Sequence, residues 1–246
     1  MFLVKLFNLK RNTIEVVCSI EIRSKSSKNF SFEVLIFLIS KLFLKTANLI
    51  NVIISSVGFF SEEAILIIKE KYPTIILSHK AHLPFTNKYK TPLTLGSDRI
   101  ALVSAAAIKY PSKDVLIIDV GSCITFDFKN SKNEYLGGSI TPGIEFRYRS
   151  LNDYTNKLPL LKPKKTKNYL GISTESSIHV GVIQGLTFEM DGFIDAYREK
   201  YQELTVILTG GGAQYLVESI KNDIFAHSNF LLEGLNYLVQ NNKNQC

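Results

Sequence analysis

Two periods of hydrophobic and polar positions run along the chain, and together they predict a mixture of strands and helices. In the first part, short apolar runs predict strands over residues 2–7 and 13–22, joined by the turn LKRN. A longer apolar stretch predicts a helix over residues 30–44. Next come a predicted strand at 49–57, a helix at 61–72 that Ser61 can cap, and a strand at 74–78. A polar connection over 79–95 then leads into the alanine-rich helix of PLTLGSDRIALVSAAAIKY.

A second cycle of strands and helices begins at Asp114. The segments DVLIIDVG, SCITFDF and EYLGGSITPG predict three consecutive strands, and helices are expected from Ile144 and from Thr174. The run LTVILTGGGAQYL predicts a strand, a glycine-rich turn and a helix, and residues 231–239 predict a final helix. We therefore expect two α/β halves, residues 1–106 and 107–246, each opening with antiparallel strands.

The charge of the chain does not by itself identify a partner. The formal net charge is +7, but the lysines are scattered and the one dense cluster is LKPKKTKNY, residues 161–169. This cluster contains a proline and lacks apolar periodicity, which indicates a solvated loop. No nucleic-acid motif with interleaved aromatic residues accompanies it, so we do not expect a nucleic-acid partner.

Cysteine and histidine usage points away from disulfides and zinc. The three cysteines are far apart and odd in number, and the four histidines are isolated. His179 falls in a predicted helix, where we expect it to be a packing or surface residue. The default compartment is the cytoplasm.

The apolar run over residues 30–60 raises the question of a membrane span. Lys41 and Lys45 interrupt it. The uncharged part after Lys45 is about 15 residues, short of the roughly 18–20 that a span needs. The N-terminus shows no signal-peptide cleavage pattern, so we expect no membrane attachment.

Three glycine-containing turns are candidates for binding phosphate. In DVGSCIT, Asp119 offers a carboxylate for a cation and the turn offers backbone N–H groups, although an ordinary hairpin has the same pattern. In GGSITPG the chain enters a helix whose N-terminus attracts anions, and a plain turn is the alternative. In TGGGA three glycines follow a strand and invite a nucleotide to lie against the backbone, but neither a P-loop nor a GxGxxG motif is present.

An Asp-Arg pair, Asp98 and Arg99, stands at the mouth of the alanine-rich helix. Such a pair can meet a charged ligand. It can also be solvated while Ser97 caps the helix. The residues alone leave both interpretations open.

The order of these motifs resembles the second half of the actin-like ATPase and sugar-kinase superfamily, and within it most closely the type III pantothenate kinases. The resemblance runs from about Ile53 to the C-terminus. It rests on the block from Tyr89 through Pro92 to Gly96-Ser97-Asp98-Arg99, on DVGSCIT, GGSITPG and TGGGA, and on Thr174 followed by Ser177, Ile178 and Gly181. It implies two actin-like (ribonuclease H-like) halves with mixed sheets and an ATP cleft between them.

The resemblance also implies an activity, the transfer of the ATP γ-phosphoryl group to pantothenate in the first step of coenzyme A synthesis. Asp98 would accept the proton of the pantothenate hydroxyl. The residues implied to line the pantothenate site are Tyr89, Gly96, Ser97, Asp98, Arg99 and Thr174.

For the nucleotide, the resemblance assigns Asp119 to a monovalent cation, potassium or ammonium. It assigns Ser122 to ATP, where the family usually has threonine, together with Gly121, Gly210 and Gly211. Mg²⁺ is expected with ATP. The family is dimeric, and the helix over residues 174–190 is a candidate interface for a homodimer.

The sequence departs from the family at its beginning, where the expected Asp-x-Gly-Asn-Thr phosphate loop is absent from MFLVKLFNLKRN. One hypothesis is that the start codon has been assigned too far downstream, and we favour it because the other site residues are intact. The alternative is a real loss, which would make the protein a weak kinase or a non-catalytic regulatory relative. A third possibility is another acid or sugar kinase of the superfamily.

Overall fold

The computed structural model describes residues 2–5, 19–22, 52–54, 65–66, 69–70, 74–77 and 81–242. The chain forms two compact units. The first unit comprises Met1–Leu83, Thr91–Ala105 and Leu232–Cys246. The second unit comprises Pro84–Lys90 and Ala106–Leu231.

The described residues of the first unit include four short strands. Strands β1 (Phe2–Lys5) and β2 (Ser19–Ile22) pair antiparallel, and β3 (Val52–Ile54) and β4 (Thr74–Ile76) pair parallel. All four lie inside the predicted strands. Residues 65–66 and 69–70 are helical, inside the helix predicted over 61–72. The helix predicted over 30–44, Ser61 and most of the apolar run over 30–60 lie outside the described residues.

Two helices that lie largely in this unit meet through small residues. Helix α1 (Ser97–Lys109) is the predicted alanine-rich helix, and α5 (Phe230–Asn241) is the predicted C-terminal one. A Cβ built on Gly234 would lie 1.8 Å from the Ala101 carbonyl oxygen, so the two backbones are in direct contact there. Asn242 ends α5 by donating to the carbonyl oxygens of Leu238 and His82, at 2.9 and 3.2 Å.

The second unit is built on a six-stranded mixed sheet in the order β10-β9-β6-β7-β8-β5. Strands β6, β7 and β8 form the antiparallel meander that was predicted, and the pairs β6–β9, β9–β10 and β5–β8 are parallel. The strands are β5 (Thr86–Asn87), β6 (Val115–Val120), β7 (Cys123–Lys129), β8 (Glu134–Pro142), β9 (Thr205–Thr209) and β10 (Phe225–Ala226).

Helices cover one face of this sheet. Helix α2 spans Ile144–Asp153, and a continuous helical run follows as α3 (Thr174–His179), a π-helical segment (Val180–Gln184) and α4 (Gly185–Lys200). The rings of Phe126 and Phe193 pack with centroids 4.3 Å apart, and Phe128 packs on Tyr201 at the same distance. Within the described residues, no helix combines the length and hydrophobicity that crossing a bilayer requires.

Two local predictions are corrected. The connection over residues 79–95 contains β5 and a 3₁₀ turn at Pro92–Thr94, both too short to produce a periodic pattern. The α-helix predicted after TGGGA is a 3₁₀ turn, Ala213–Tyr215, followed by further turns. A contact distant in sequence competes with the helix there, because the buried carboxylate of Asp191 accepts hydrogen bonds from the backbone N–H groups of Lys221 and Asn222.

The second face of β7 is polar and yet buried. Thr125, Asp127 and Lys129 alternate along it, each less than a tenth exposed. The Lys129 ammonium donates to the carbonyl oxygens of Tyr110 and Lys113, at 2.7 and 3.0 Å, and to Asn133 Oδ1 at 2.7 Å. Burial lowers the pKa of Lys129 to about 8, although Asp114 acts in the opposite direction.

We expect Lys129 to make the free energy of unfolding depend on pH. Between pH 8 and 10.5 the unfolded state holds the lysine proton and the folded state does not, so stability rises as the pH increases through this window. The change is at most about 3 kcal/mol. Urea unfolding at several pH values should show that the free energy of unfolding of wild type, relative to that of Lys129→Met, increases as the pH rises. The exposed neighbour gives the control, Lys132→Met, which should show no such trend. A flat or falling difference for Lys129→Met would contradict this account.

Candidate active site

Two of the three glycine-containing turns predicted from the sequence contact the third at residues 119–122, in the second unit. Strand β6 ends there, and the Val120 carbonyl oxygen accepts a 2.9 Å hydrogen bond from the Gly212 N–H in the TGGGA turn. The Ser122 carbonyl oxygen accepts a 2.9 Å bond from the Gly143 N–H at the start of α2. The predicted nucleotide residues Asp119, Gly121, Ser122, Gly210 and Gly211 therefore lie on neighbouring turns.

Gly210 and Gly211 do different things in this arrangement. Gly210 has φ +91°, and a Cβ on it would lie 2.4 Å from Asp119 Oδ1 and 2.6 Å from the Val120 nitrogen. Only glycine allows the turn to approach the carboxylate so closely. Gly211 is exposed, and a Cβ on it would meet no atom within 4 Å. The turn thus closes on Asp119 and leaves open space at Gly211.

Hydroxyl groups flank Asp119 along the sheet. Its paired residues are Thr125 on β7 and Thr209 on β9, and directly paired residues place their side chains on the same face. Thr125 Oγ1 is buried, and no hydrogen-bond partner for it exists within the described residues. A carboxylate beside an unsatisfied hydroxyl oxygen is a donor set that suits a hard cation. No cluster of three His, Cys, Asp or Glu side chains able to hold a metal occurs in the part of the chain that is described.

The motif GGSITPG contributes to this cluster only through its last residue. A Cβ on Gly143 would lie 2.3 Å from the Ser122 carbonyl oxygen, so this glycine is needed for contact between the turns. Gly137, with φ +113°, instead lies beneath the ring of Tyr89, and Gly138 lies against the Phe126 carbonyl oxygen. Protein atoms therefore occupy the space beside Gly137 and Gly138.

The residues predicted at the mouth of α1 belong to the first unit. Asp98 is half-buried, and its Oδ1 accepts a 2.8 Å hydrogen bond from the Arg99 backbone N–H. Ser97 and Arg99 are buried, and Arg99 is only 4% exposed. The interpretation that left both charged residues solvated is therefore wrong for Arg99. The helix N-terminus favours the negative charge of Asp98.

The other two predicted substrate residues lie in the second unit. Tyr89 follows β5, and its ring stacks on Tyr135 with centroids 5.9 Å apart. Thr174 is exposed and is the first residue of α3. The capping role at this helix belongs to Ser173, whose hydroxyl accepts from the Ser176 N–H.

Arg147 was not found from the sequence. Its Nη2 donates to Thr141 Oγ1 at 2.9 Å and to Glu189 Oε2 at 2.7 Å, and its Nε donates to the Pro142 carbonyl oxygen at 2.9 Å. It therefore fixes the turn that contacts Ser122. The only signal available was an arginine in the first turns of a helix that follows Pro-Gly, and many arginines at helix surfaces share that context.

A buried tyrosine–histidine pair was also missed. The Tyr148 hydroxyl lies 2.7 Å from His179 Nδ1, and both side chains are buried. Burial raises the pKa of Tyr148 to about 12, against a hydrogen bond from the Lys164 backbone. His179 is thus a packing residue of the helix, as expected, and it joins α3 to α2.

The lysine-rich segment 161–169 has no helix or strand, and its lysines are exposed, which confirms a solvated loop. The segment nevertheless contacts other parts of the second unit. Lys165 forms a 2.7 Å ion pair with Glu218, and Gln184 of the π-helical segment donates to the Thr166 carbonyl oxygen.

The chain is similar to proteins of one known family. A model of the family described as type III pantothenate kinase matches residues 7–196. The type III pantothenate kinase of Christiangramia forsetii is 50% identical over 193 residues, which cover 78% of this chain and 79% of that protein. The type III pantothenate kinase of Flavobacterium psychrophilum is 42% identical over 235 residues, which cover 95% and 93%.

Solved structures resemble the chain at lower identity. A conserved putative Baf family transcriptional activator from Campylobacter jejuni superposes with a TM-score of 0.57 at 22% identity, over 83% of this chain and 88% of the other. A putative 2-dehydro-3-deoxygalactonokinase from Sinorhizobium meliloti gives 0.55 at 11% identity, over 85% of each chain. At these identities the likeness concerns the fold alone.

The two glycines should respond differently to alanine. Gly210→Ala combines a positive φ with a collision against Asp119 and should reduce the free energy of unfolding by roughly 1–3 kcal/mol. Gly211→Ala meets open space and should change it by less than about 1 kcal/mol. Urea unfolding of the two variants measures both effects. Equal losses would mean that the close approach to Asp119 does not constrain the fold.

Proposed function

This chain belongs to the type III pantothenate kinase family, and we propose that it transfers the γ-phosphoryl group of ATP to pantothenate, the first step of coenzyme A biosynthesis. Its fold is the α/β fold shared with sugar kinases. The observation that carries the proposal is the contact of the other two glycine-containing turns with residues 119–122, because it brings the family's nucleotide residues together in a chain 42% identical to a named kinase over 235 residues. This favours a kinase over the non-catalytic relative considered from the sequence.

We assign the phosphates of ATP to the turns around residues 119–122. Ser122 supplies a hydroxyl there, and Gly121, Gly210 and Gly211 supply backbone that can approach an anion closely. Support comes from Gly211, which is exposed and has open space where a side chain would be. The proposal includes Mg²⁺ bound to ATP, as phosphoryl transfer commonly requires.

We assign a monovalent cation, potassium or ammonium, to Asp119. The carboxylate and the unsatisfied hydroxyl of Thr125 fit such an ion, whose protein ligands are oxygen atoms. When bound, the ion neutralises part of the phosphate charge. Asp119 holds it at a fixed place because the Gly210 turn packs against the carboxylate.

Asp98 is proposed to accept the proton of the pantothenate hydroxyl. The hydroxyl oxygen forms a bond to the γ-phosphorus, the bond from that phosphorus to the bridging oxygen breaks, and ADP leaves. Because the transition state for phosphoryl transfer is loose, alignment matters more than base strength, and an ionised carboxylate that accepts the proton late is sufficient. The hydrogen bond from the Arg99 N–H orients the Asp98 carboxylate.

The remaining substrate contacts follow the family assignment. Arg99 provides a fork of donors for a carboxylate or phosphate, and its burial supports a fixed orientation. Gly96 and Ser97 lie beside it, and Tyr89 and Thr174 are assigned to the same substrate. A cytoplasmic location is part of the proposal, since ATP is consumed.

A homodimer is proposed on the basis of an exposed apolar surface in the second unit. Tyr169 and Phe188 stack on each other with centroids 5.9 Å apart, and both are more than half exposed. Leu170 and Ile172 are exposed beside them in sequence. An apolar surface of this kind commonly marks a protein interface, and Phe188 belongs to the helix over 174–190 expected to form one.

Asp98→Asn should remove turnover while leaving nucleotide binding intact. Loss of a general base costs about 10²–10⁴-fold in kcat, and KM for ATP should stay within about twofold because Asp98 is assigned to the other substrate. An assay of ADP release with pantothenate and potassium measures both constants. Asp153→Asn, an exposed carboxylate at the end of α2, is the matched control. Turnover near the wild-type level in Asp98→Asn would refute the assignment. If wild type turned over only other alcohols or acids, the assignment of pantothenate as the substrate would be refuted.

Potassium dependence tests the role of Asp119. Asp119→Asn should raise the potassium concentration for half-maximal activity by on the order of tenfold or more, since the ligand charge is lost. Thr125→Val should raise it less and should fold normally, because the buried hydroxyl has no hydrogen bond to lose within the described residues. Titration of activity with KCl at constant ionic strength gives these values. Thr205→Val, at the far end of β9, is the control. Unchanged potassium dependence in Asp119→Asn would place the cation elsewhere.

A further inference from the structure

The edge strand that precedes Tyr89 has little backbone support of its own. Strand β5 is two residues long. It is joined to β8 by hydrogen bonds from the Thr86 N–H to the Asn133 carbonyl oxygen and from the Lys88 N–H to the Tyr135 carbonyl oxygen, at 2.9 and 3.0 Å. So short a strand depends on side-chain contacts to keep its place.

The ring of Tyr135 supplies those contacts on both sides of β5. Phe85, just before the strand, meets it edge-on with centroids 6.1 Å apart. Tyr89, after the strand, stacks on it at 5.9 Å with an angle of 28° between the planes. Pairs of aromatic rings at these distances are stabilising beyond the area they bury. Tyr135 is therefore the side chain on which both ends of the edge segment rest.

Tyr135 is itself held by a carboxylate. Its hydroxyl donates a 2.7 Å hydrogen bond to Asp127 Oδ1, and both residues are 0% exposed. Asp127 lies in the middle of the sheet, where its backbone pairs with Ile117 on one side and Gly138 on the other. A hydrogen bond to a buried carboxylate is short and strong, so it holds the hydroxyl end of the phenol ring in place.

A glycine on β8 also packs against the Tyr89 ring. The ring atom Cδ2 of Tyr89 would lie 3.4 Å from a Cβ on Gly137, which is van der Waals contact with a β8 residue that has no side chain. The plane of Tyr89 is thus determined by Tyr135 and by the β8 backbone at Gly137.

We infer that Tyr135, oriented by Asp127, is a positioning residue for Tyr89 and through it sets the affinity for pantothenate. This rests on the proposed function, in which Tyr89 contacts that substrate. Tyr135 and Asp127 are fully buried, so they influence pantothenate through the Tyr89 ring rather than by contact with the substrate. Their loss should therefore weaken pantothenate binding and spare ATP binding, which a general loss of fold would not do.

A double-mutant cycle between Tyr135→Phe and Tyr89→Ala tests the inference. Tyr135→Phe keeps the ring and removes the hydroxyl that Asp127 holds. It should raise KM for pantothenate by on the order of tenfold, the size expected for coupled residues in contact, with KM for ATP unchanged. In the Tyr89→Ala background the same substitution should have almost no further effect on KM for pantothenate.

Two further variants complete the design. Asp127→Asn retains an oxygen acceptor for the Tyr135 hydroxyl and should raise KM for pantothenate less than Tyr135→Phe does. It also replaces Tyr135→Phe in the cycle if that variant does not fold. Tyr201→Phe removes a tyrosine hydroxyl near Phe128 in the same unit and should leave both KM values unchanged.

The outcomes separate this inference from the proposed function. If Tyr89→Ala raises KM for pantothenate and Tyr135→Phe and Asp127→Asn do not, the inference is overturned and the function stands. If the effects of Tyr135→Phe and Tyr89→Ala simply add, Tyr135 acts independently of Tyr89 and the inference is again overturned. If Tyr89→Ala leaves KM for pantothenate unchanged, the assignment of Tyr89 and the inference fall together.

Discussion

The arrangement of the candidate site depends on one steric constraint, the contact between Gly210 and the Asp119 carboxylate. Strands β6 and β9 run parallel and end side by side, so the turn after β9 must pass the last acidic residue of β6. Space for that passage exists only because residue 210 has no Cβ and adopts a positive φ. Gly212 can then donate to Val120, and Gly143 can donate to Ser122 from the other side. Backbone polar groups therefore lie close to the Asp119 carboxylate. Such groups can bind ions more readily than an apolar surface can.

Sequence reasoning identified the parts of this site whose signals are local. The run VLII predicted β6, because a strand buried on both faces is continuously apolar, and TVIL predicted β9 in the same way. The glycines were visible because a tight turn needs few other residue types. Strand β5 was missed because two residues cannot show a period, and the role of Gly137 was missed because its partner, Tyr89, is distant in sequence.

Strand β7 shows why alternation alone misleads about exposure. Its polar residues at every second position indicate a solvated face, yet that face is buried. Burying a polar group is costly unless it gains a partner, and the three buried groups have different surroundings. Lys129 has three acceptors, Asp127 receives the Tyr135 hydroxyl, and Thr125 lies beside Asp119 on the same face of the sheet. Two of the acceptors of Lys129 lie 19 and 16 residues away in sequence. The other neighbours named here lie 4 to 8 residues away but across a turn, so alternation within the strand does not reveal them.

The π-helical segment Val180–Gln184 separates α3 from α4. A π turn accommodates one more residue than an α turn, so the residues before it are rotated by roughly 100° relative to those after it. Around the helix axis, Thr174 is consequently offset from Leu186 and Met190, which lie after the segment and are buried in the core. Removing a single residue from this segment would realign the two stretches and swing Thr174 around the helix without altering any side chain assigned to either substrate.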